Sequence, residues 1–355
     1  MTCRILNALA LCALMLTGCE RPIRNAVAEE RWDRLEKRLK NVRQLTNSGQ
    51  NAEAYFSSDG KHLIFQSTHG SLECDQIFTM RLDGKEIRLV STGKGRTTCS
   101  YFFPDGSRIL YASTHEGAPD CPPEPSRSGG YVWPIYSSYD IYTAKIDGTD
   151  VRRLTDTKGY DAEATISPDG KKIVFTSVRD GDLDVYVMSA DGSSPYRLTR
   201  TLGYDGGAFF SPDGSMICYR ASRPKGEEEE RSYRELLARD LVKPTALEIF
   251  VMNADGSNQR QVTKNGAANF CPFFHVSGKK LIYASNQSDA KARSSDPFDL
   301  YLVNIDGTGE ERVTYHPTFD AFPMFSPDGK KLVWASNRNA AKRGDTNIFI
   351  ADWID

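Results

Sequence analysis

Residues 161–199 spell out a unit that the chain repeats: Asp161-Ala162-Glu163-Ala164, the turn Ser167-Pro168-Asp169-Gly170, an apolar run over 171–177, Val185-Tyr186-Val187-Met188, Asp191-Gly192, and Tyr196-Arg197-Leu198-Thr199. Ser211-Pro212-Asp213-Gly214 and Ser326-Pro327-Asp328-Gly329 restate its first turn, while Ser58-Asp59-Gly60, Pro104-Asp105-Gly106 and Val276-Ser277-Gly278 restate it with losses. A unit this short cannot bury an apolar face alone, so the copies must bury theirs against one another.

Each unit reads as four short strands, with alternating or apolar runs broken at Asp-Gly. Glycine reaches the positive φ that a tight antiparallel turn needs, and aspartate accepts a local backbone hydrogen bond. The same chemistry explains Asp83-Gly84, Asp147-Gly148, Asp191-Gly192, Asp255-Gly256 and Asp306-Gly307 between third and fourth strands. A calcium reading of these pieces lacks the rest of an oxygen-ligand loop. The predicted first strands begin near 53, 99, 161, 207, 271 and 322, and the fourth strands fall near 87–90, 152–154, 196–199, 259–262 and 311–313. Arg43-Gln44-Leu45-Thr46 resembles these fourth strands but precedes the first full unit, whereas the last copy ends at Ile348-Phe349-Ile350-Ala351-Asp352-Trp353 without one. The early strand therefore completes the last unit and closes a ring.

The 355 residues carry a formal charge of -2, with 28 glycines, 17 prolines and 16 tyrosines. That balance suits a β-rich protein and gives no concentrated basic field for nucleic acid. Residues 1–18 hold Arg4, an uncharged stretch too short to span a bilayer, and Gly18-Cys19, which read as an export signal. Leu16-Thr17-Gly18-Cys19 resembles a bacterial lipoprotein processing box, which implies that Cys19 becomes the lipidated first residue and anchors the protein in the cell envelope. Glu20 in place of an aspartate implies an outer-membrane anchor, with the domain facing the periplasm. Residues 19–40 then form a tether and a short helix through Ala28, Trp32, Leu35 and Leu39, before a domain over 41–355. Cys74, Cys99 and Cys121 are disulfide candidates with pairing open, and Cys218 reads as a buried apolar residue.

The joint order of Phe-Ser-Pro-Asp-Gly-Lys, Asp-x-Tyr-x-Met-x-x-Asp-Gly and Arg-Leu-Thr resembles the TolB-like propellers with WD40-like Pro-Asp repeats, across residues 42–353. The resemblance implies an all-β, six-bladed β-propeller of four-stranded blades. It covers the propeller only, since the stretch before residue 42 is too short for the α/β domain that precedes the propeller in TolB.

In such a blade the Asp-Gly turns share one face, and the second-to-third loops share the other. Every long insertion lands on the second face, which becomes the expected functional surface. The insertion over 113–139 carries Tyr131, Trp133, Tyr136 and Tyr139, a platform for a sugar ring, peptide or protein, or else the core of its own loop. The insertion over 223–247 starts basic, passes through Glu227 to Glu230 and predicts a lid-like helix through Tyr233, Leu236, Leu237 and Leu241. A third, over 286–298, is short and polar.

Asn51, Thr97, Asp161, Asp205, Asn269 and Asp320 stand at equivalent first-strand starts, and Glu53, Cys99, Glu163, Gly207, Cys271 and Phe322 lie two positions on. The first set, with Glu53 and Glu163, predicts a polar ring at the channel mouth. His69 and His115 follow the second strands of neighbouring blades and, with Glu53, are weak candidates for a divalent metal; no other cofactor is expected. The chain has no Gly-x-Ser-x-Gly elbow and no His-Glu-x-x-His helix. The sequence thus points to a noncatalytic envelope propeller that binds a protein, peptide or glycan through the insertion-rich face. The alternative is a carbohydrate-active lyase or hydrolase, metal-assisted or not, using His69, His115, Glu163 and Asp205.

Overall fold

The computed structural model describes residues 32, 34–126, 130–288 and 298–355. Six four-stranded antiparallel sheets follow one another around a ring. Blade one holds β2 (Asn51–Phe56), β3 (His62–Ser67), β4 (Gln76–Arg81) and β5 (Arg88–Leu89). Blade two holds β6 (Thr97–Phe102), β7 (Arg108–Ser113), β9 (Asp140–Lys145) and β10 (Arg152–Arg153), with β8 (Trp133–Pro134) in its insertion. Blade three runs from β11 (Asp161–Ile166) through β12 (Lys172–Ser177) and β13 (Asp184–Ser189) to β14 (Tyr196–Arg197). Blade four comprises β15 (Asp205–Phe210), β16 (Met216–Ala221), β18 (Glu248–Asn253) and β19 (Arg260–Gln261), and its insertion holds the helix α1 (Gly226–Leu237) and β17 (Leu241–Val242). Blade five is β20 (Asn269–Phe274), β21 (Lys280–Ser285), β22 (Asp299–Asn304) and β23 (Glu311–Arg312). Blade six takes β24 (Asp320–Phe325), β25 (Lys331–Ser336) and β26 (Asn347–Trp353) from the chain's end and β1 (Leu39–Gln44) from its beginning.

The closure predicted from the displaced Arg-Gln-Leu-Thr segment is present atom for atom. In blades two to five the threonine of this segment accepts a hydrogen bond from a third-strand amide, as Val185 N–H donates to Thr199 Oγ1 at 2.9 Å and Leu300 N–H to Thr314 Oγ1 at 2.9 Å. Thr46 does the same for Ile348 at 2.9 Å, so the N-terminal strand stands where a fourth strand belongs. Such a ring leaves no sheet whose apolar face lacks a neighbour. The fourth strands are shorter than expected, two residues each in blades one to five, because ladder pairing gives way there to these side-chain bonds. Leu39, expected on a helix, instead opens β1 opposite Trp353 and is buried beside it.

The turns have the predicted chemistry. Asp169 Oδ1 accepts from Ser167 Oγ at 2.6 Å and from Lys171 N–H at 3.1 Å. Gly192 has φ 87°, and a Cβ on it would stand 2.6 Å from the Leu154 carbonyl oxygen of the previous blade, so glycine serves both the turn and the blade contact. Inside each blade the second and third strands place aromatic rings directly opposite one another: Phe65 and Phe78, Tyr111 and Tyr142, Phe175 and Tyr186, Tyr219 and Phe250, Tyr283 and Tyr301, Trp334 and Phe349. Their centroids lie 5.5 to 6.1 Å apart, and such pairs contribute roughly 0.5–1.5 kcal/mol each beyond their buried area.

Candidate ligand site at the tunnel mouth

The two large insertions meet over one end of the tunnel. β8 pairs antiparallel with β17, Trp133 opposite Val242, and Ile135 N–H donates to the Asp240 carbonyl at 2.9 Å. A two-stranded ribbon built from blades two and four therefore bridges the mouth. The helix that leads into it begins with Glu227, Glu228 and Glu229, favourably placed at the positive end of its backbone dipole. It is fastened by Tyr233, whose hydroxyl donates to Asp182 Oδ1 at 2.6 Å. The helix ends at Leu237, so Leu241 belongs to the ribbon rather than to the helical stripe. A Cys74–Cys121 disulfide, Cα atoms 6.0 Å apart, ties the blade-two insertion to the neighbouring loop of blade one, leaving Cys99 as a free thiol. It closes a loop of 47 residues, a constraint of about 4 kcal/mol in the chain-entropy account.

Beneath this cap lies a cavity of about 860 Å³ that continues into the tunnel. Tyr131, Trp133, Tyr136 and Tyr139 all line it, yet they form the underside of a roof rather than an open platform. Tyr139 is buried edge-on to Tyr160 with centroids 5.8 Å apart, and Trp133 packs edge-on to Tyr204 and Phe270. Tyr136 donates its hydroxyl to the Pro123 carbonyl at 2.9 Å, and Tyr131 is the exposed member.

The first-strand starts do not form the expected polar ring. Asn51, Thr97, Asp161, Asp205, Asn269 and Asp320 are buried, absent from the cavity wall and bonded to groups of their own or the preceding blade. Asp161 meets Arg179 at 3.1 Å, Asp320 meets Arg338 at 2.8 Å, and Asp205 pairs with Arg223. Asn51 Oδ1 accepts from Ser67 Oγ at 2.7 Å, Thr97 and Ser113 hydroxyls lie 3.2 Å apart, and Asn269 donates to the Leu247 carbonyl at 2.9 Å. The three arginines stand two residues beyond their second strands, and the same position in the other blades holds His69, His115 and Gln287. Where the first strand starts with aspartate the partner position is arginine; where it starts neutral, the partner is not. A buried carboxylate without its cation is costly, which accounts for the matching.

This corrects the reading of the histidines. His69 and His115 sit at blade ends, outside the cavity wall, with His69 edge-on to Phe78 and His115 Nδ1 2.9 Å from Ser113 Oγ, its ring against Tyr142. Among the described residues no group of three or more His, Cys, Asp and Glu side chains could hold a metal ion, so Glu53, His69 and His115 do not converge as ligands. Arg338 is further clamped by Glu36 at 2.7 Å, which docks the start of the described chain onto blade six.

The tunnel wall is instead the position two residues on. Glu53, Cys99, Glu163, Gly207, Cys271 and Phe322 all line the cavity, and all have left-handed backbone, φ from 47° to 60°. Each marks a break in first-strand register, as between Ala52 and Tyr55 or Ala162 and Thr165, where a bulge turns one side chain toward the axis. Five of the six are not glycine, and a left-handed L-residue costs roughly 1–2 kcal/mol, so the aim of these side chains is held against local preference. Repetition of the position was visible in sequence; the bulge was not.

On this ring Glu163 is fully engaged. Its carboxylate accepts from Tyr204 Oη at 2.6 Å, Thr176 Oγ1 at 2.7 Å and Gly207 N–H at 2.8 Å, and pairs with Arg220. Burial pushes the Glu163 carboxyl up, but Arg220 and these hydrogen bonds outweigh it and hold the group below its ordinary range. Arg220, a residue the sequence reading missed, lies over the rings of Tyr204 and Trp133, 4.7 and 5.3 Å from their centroids. A Cβ on Gly207 would fall 1.8 Å from Arg220 Nη1, so the glycine is the space the guanidinium occupies.

Glu53 has the same φ and the same tunnel aspect but forms no ion pair among the described residues. Burial, with Glu163 nearby, raises its carboxyl to about 7 despite a hydrogen bond with Cys99 and the attraction of Arg220. Burial and these two glutamates also push the Cys99 thiol well up, and burial takes Cys271 to about 12, which suppresses the thiolate and disfavours nucleophilic chemistry by either.

Comparison with known proteins follows the fold. The family model for the Tricorn protease N-terminal beta propeller domain matches residues 134–245, a stretch that begins within the bridging ribbon and includes its second strand. A curated relative, the Protein TolB homolog of Chlorobium luteolum, is 43% identical over 54 residues, 15% of this chain and 12% of that protein, so the match spans a small part of either. Putative TolB from Agrobacterium tumefaciens superposes with a TM-score of 0.59 at 20% identity, covering 88% of this chain and 94% of the other. Oligogalacturonate lyase from Vibrio parahaemolyticus gives 0.52 at 16% identity, covering 88% and 93%. Repeat order and ring closure make the chain a six-bladed β-propeller, and by these likenesses it is similar to the TolB-type propellers.

Proposed function

We propose that this is a noncatalytic recognition propeller of the bacterial cell envelope, which takes part of a protein, peptide or glycan into its capped tunnel mouth. The observation that carries the reading is the ribbon of β8 and β17, which roofs an aromatic cavity with insertions from two separate blades. A protein or peptide ligand is favoured, because the curated relative and the Agrobacterium neighbour bear the TolB name. Location belongs to the same proposal: the signal over 1–18 and lipidation at Cys19 lie outside the described residues and rest on sequence. They support a lipid anchor in the outer membrane with the propeller in the periplasm.

The carbohydrate-active alternative is supported by the fold likeness to a lyase and keeps Glu163 in the cavity. It loses His69, His115 and Asp205, which are engaged at blade ends. The test is biolayer interferometry of the purified protein against panels of envelope proteins, peptides and glycans. Saturable binding that weakens about tenfold or more in Trp133→Ala supports the reading, since buried aromatic anchors carry most interface energy. Absence of saturable binding across the panels overturns it.

A further inference from the structure

We propose that the tunnel mouth binds an organic ammonium group, seated on Glu53 and walled by the cavity's aromatic rings. The inference rests on the recognition reading above and names the chemistry of what is recognised. Three observations converge on it.

First, one of the cavity's two arginines shows how this wall stabilises a cation. Arg220 is paired with a first-strand glutamate, lies over the rings of Trp133 and Tyr204, and is given room by Gly207. Cations over aromatic faces are favoured by the ring quadrupole, more so when desolvated. Second, Glu53 repeats the position of Glu163 two blades earlier, on the same bulge, with no arginine brought to it. Arg220 reaches Glu163 from the second strand of the next blade; in blade two, which follows Glu53, the same position is Ala112, and Gln66 of Glu53's own blade is occupied in accepting from Thr98 Oγ1 at 2.7 Å. Third, the charged groups of the wall are Glu53, Asp75, Glu124 and Glu163 against Arg96 and Arg220, an excess of two carboxylates. A low-dielectric, acidic and aromatic enclosure selects cations and rejects uronates and phosphates.

The ammonium has two sources, a free small molecule or a lysine side chain of a bound peptide, and paired probes separate them. Choline is compared with its neutral isostere 3,3-dimethylbutan-1-ol, and Nα-acetyl-lysine methylamide with its Nε-acetylated form, by titration calorimetry on the purified protein. The charged member of at least one pair binds about tenfold tighter than its neutral counterpart. Discrimination in the first pair assigns a free quaternary ammonium, and in the second a lysyl segment. Affinity falls as pH drops from 8 to 6, because protonation of Glu53 removes its charge; the groups facing it are Cys99, Glu163, Asp75 and Arg220, of which Glu163 and Arg220 remain paired. Glu53→Gln abolishes the preference for charge while circular dichroism reports an unchanged fold.

Equal binding of charged and neutral members in both pairs, tighter binding of galacturonate than of choline, or a charge preference that survives in Glu53→Gln overturns the inference. Comparison within each pair uses the wild-type protein and does not depend on any variant folding. If the envelope panels show saturable binding while no charge preference exists, this inference fails and the recognition reading stands. If neither panels nor probes bind, the recognition reading fails with it.

Discussion

Glu53 and Glu163 occupy one position of one repeat, yet the molecule treats them in opposite ways. Both sit on a first-strand bulge with φ 51° and 57°, and both face the tunnel. Glu163 has Arg220, Tyr204, Thr176 and the Gly207 amide around its oxygens and is held ionised. Glu53 has a thiol beside it and titrates near neutrality. The repeat dictates where a side chain points, and the neighbouring blade dictates what charge it can bear.

The largest effect comes from making Glu163 resemble Glu53. Arg220→Ala removes the only ionic partner of Glu163 among the described residues, and breaking a buried pair from one side costs about 3–5 kcal/mol. Urea unfolding of the variant should show a loss of that size. Glu163→Gln added to Arg220→Ala should recover a large part of it, because the uncompensated charge is then gone. Equal stability of single and double variants would mean that the sandwich between Trp133 and Tyr204, rather than charge, holds this side of the tunnel.

How much of this arrangement the sequence made legible follows from which contacts are local. The turns at Asp169-Gly170 and Asp191-Gly192 were readable because their hydrogen bonds run two or three residues along the chain. Closure was readable because Arg43-Gln44-Leu45-Thr46 had no unit of its own to complete. The polar ring failed because period-two alternation places Asn51 and Glu53 on one face, whereas the bulge after Ala52 buries the first and turns the second to the axis. His69 and His115 looked chemical in isolation, but alignment with Arg179, Arg223 and Arg338 assigns them to blade ends. The signal for that was internal to the sequence: aspartate at a first-strand start recurs with arginine after the second strand. Pairing of β8 with β17 had no such signal, since two short segments from different blades meet only once the ring has formed.

A smaller effect tests the other glutamate. The Glu53 carboxyl is raised from 4.5 to about 7, so between those values the folded state binds more protons than the unfolded chain. Its stabilising contribution is therefore fully present below about pH 4 and is lost as pH rises through 7. Wild-type unfolding free energy should decline across pH 5 to 8 by about 1–3 kcal/mol more than that of Glu53→Gln, a tenfold change in proton affinity being worth about 1.4 kcal/mol and the cavity's solvent reducing the total. Parallel pH profiles would show that Glu53 has an ionic partner in solution and that the asymmetry between the two glutamates is not one of charge.

The smallest effect concerns the space that makes the asymmetry. Gly207 is the glycine of the tunnel ring, and it stands beside the one arginine that enters the tunnel from a second strand. Gly207→Ala places a methyl where Arg220 Nη1 now lies and asks alanine to hold φ 60°. The left-handed backbone costs about 1 kcal/mol, and the guanidinium, being the far end of a flexible chain, can move by a further small expense. The expected loss is about 1–2 kcal/mol by urea unfolding, with the fluorescence of Trp133 altered as the cation moves from its ring. The Glu163 carboxylate tolerates that movement only while Arg220 stays within reach, so Gly207→Ala should also reduce the further penalty of Arg220→Ala when the two are combined. Strict additivity would place the guanidinium's anchor on Tyr204 and Trp133 alone and would remove Gly207 from the account of why blade four carries the cation that blade two, with Ala112 at the same position, lacks.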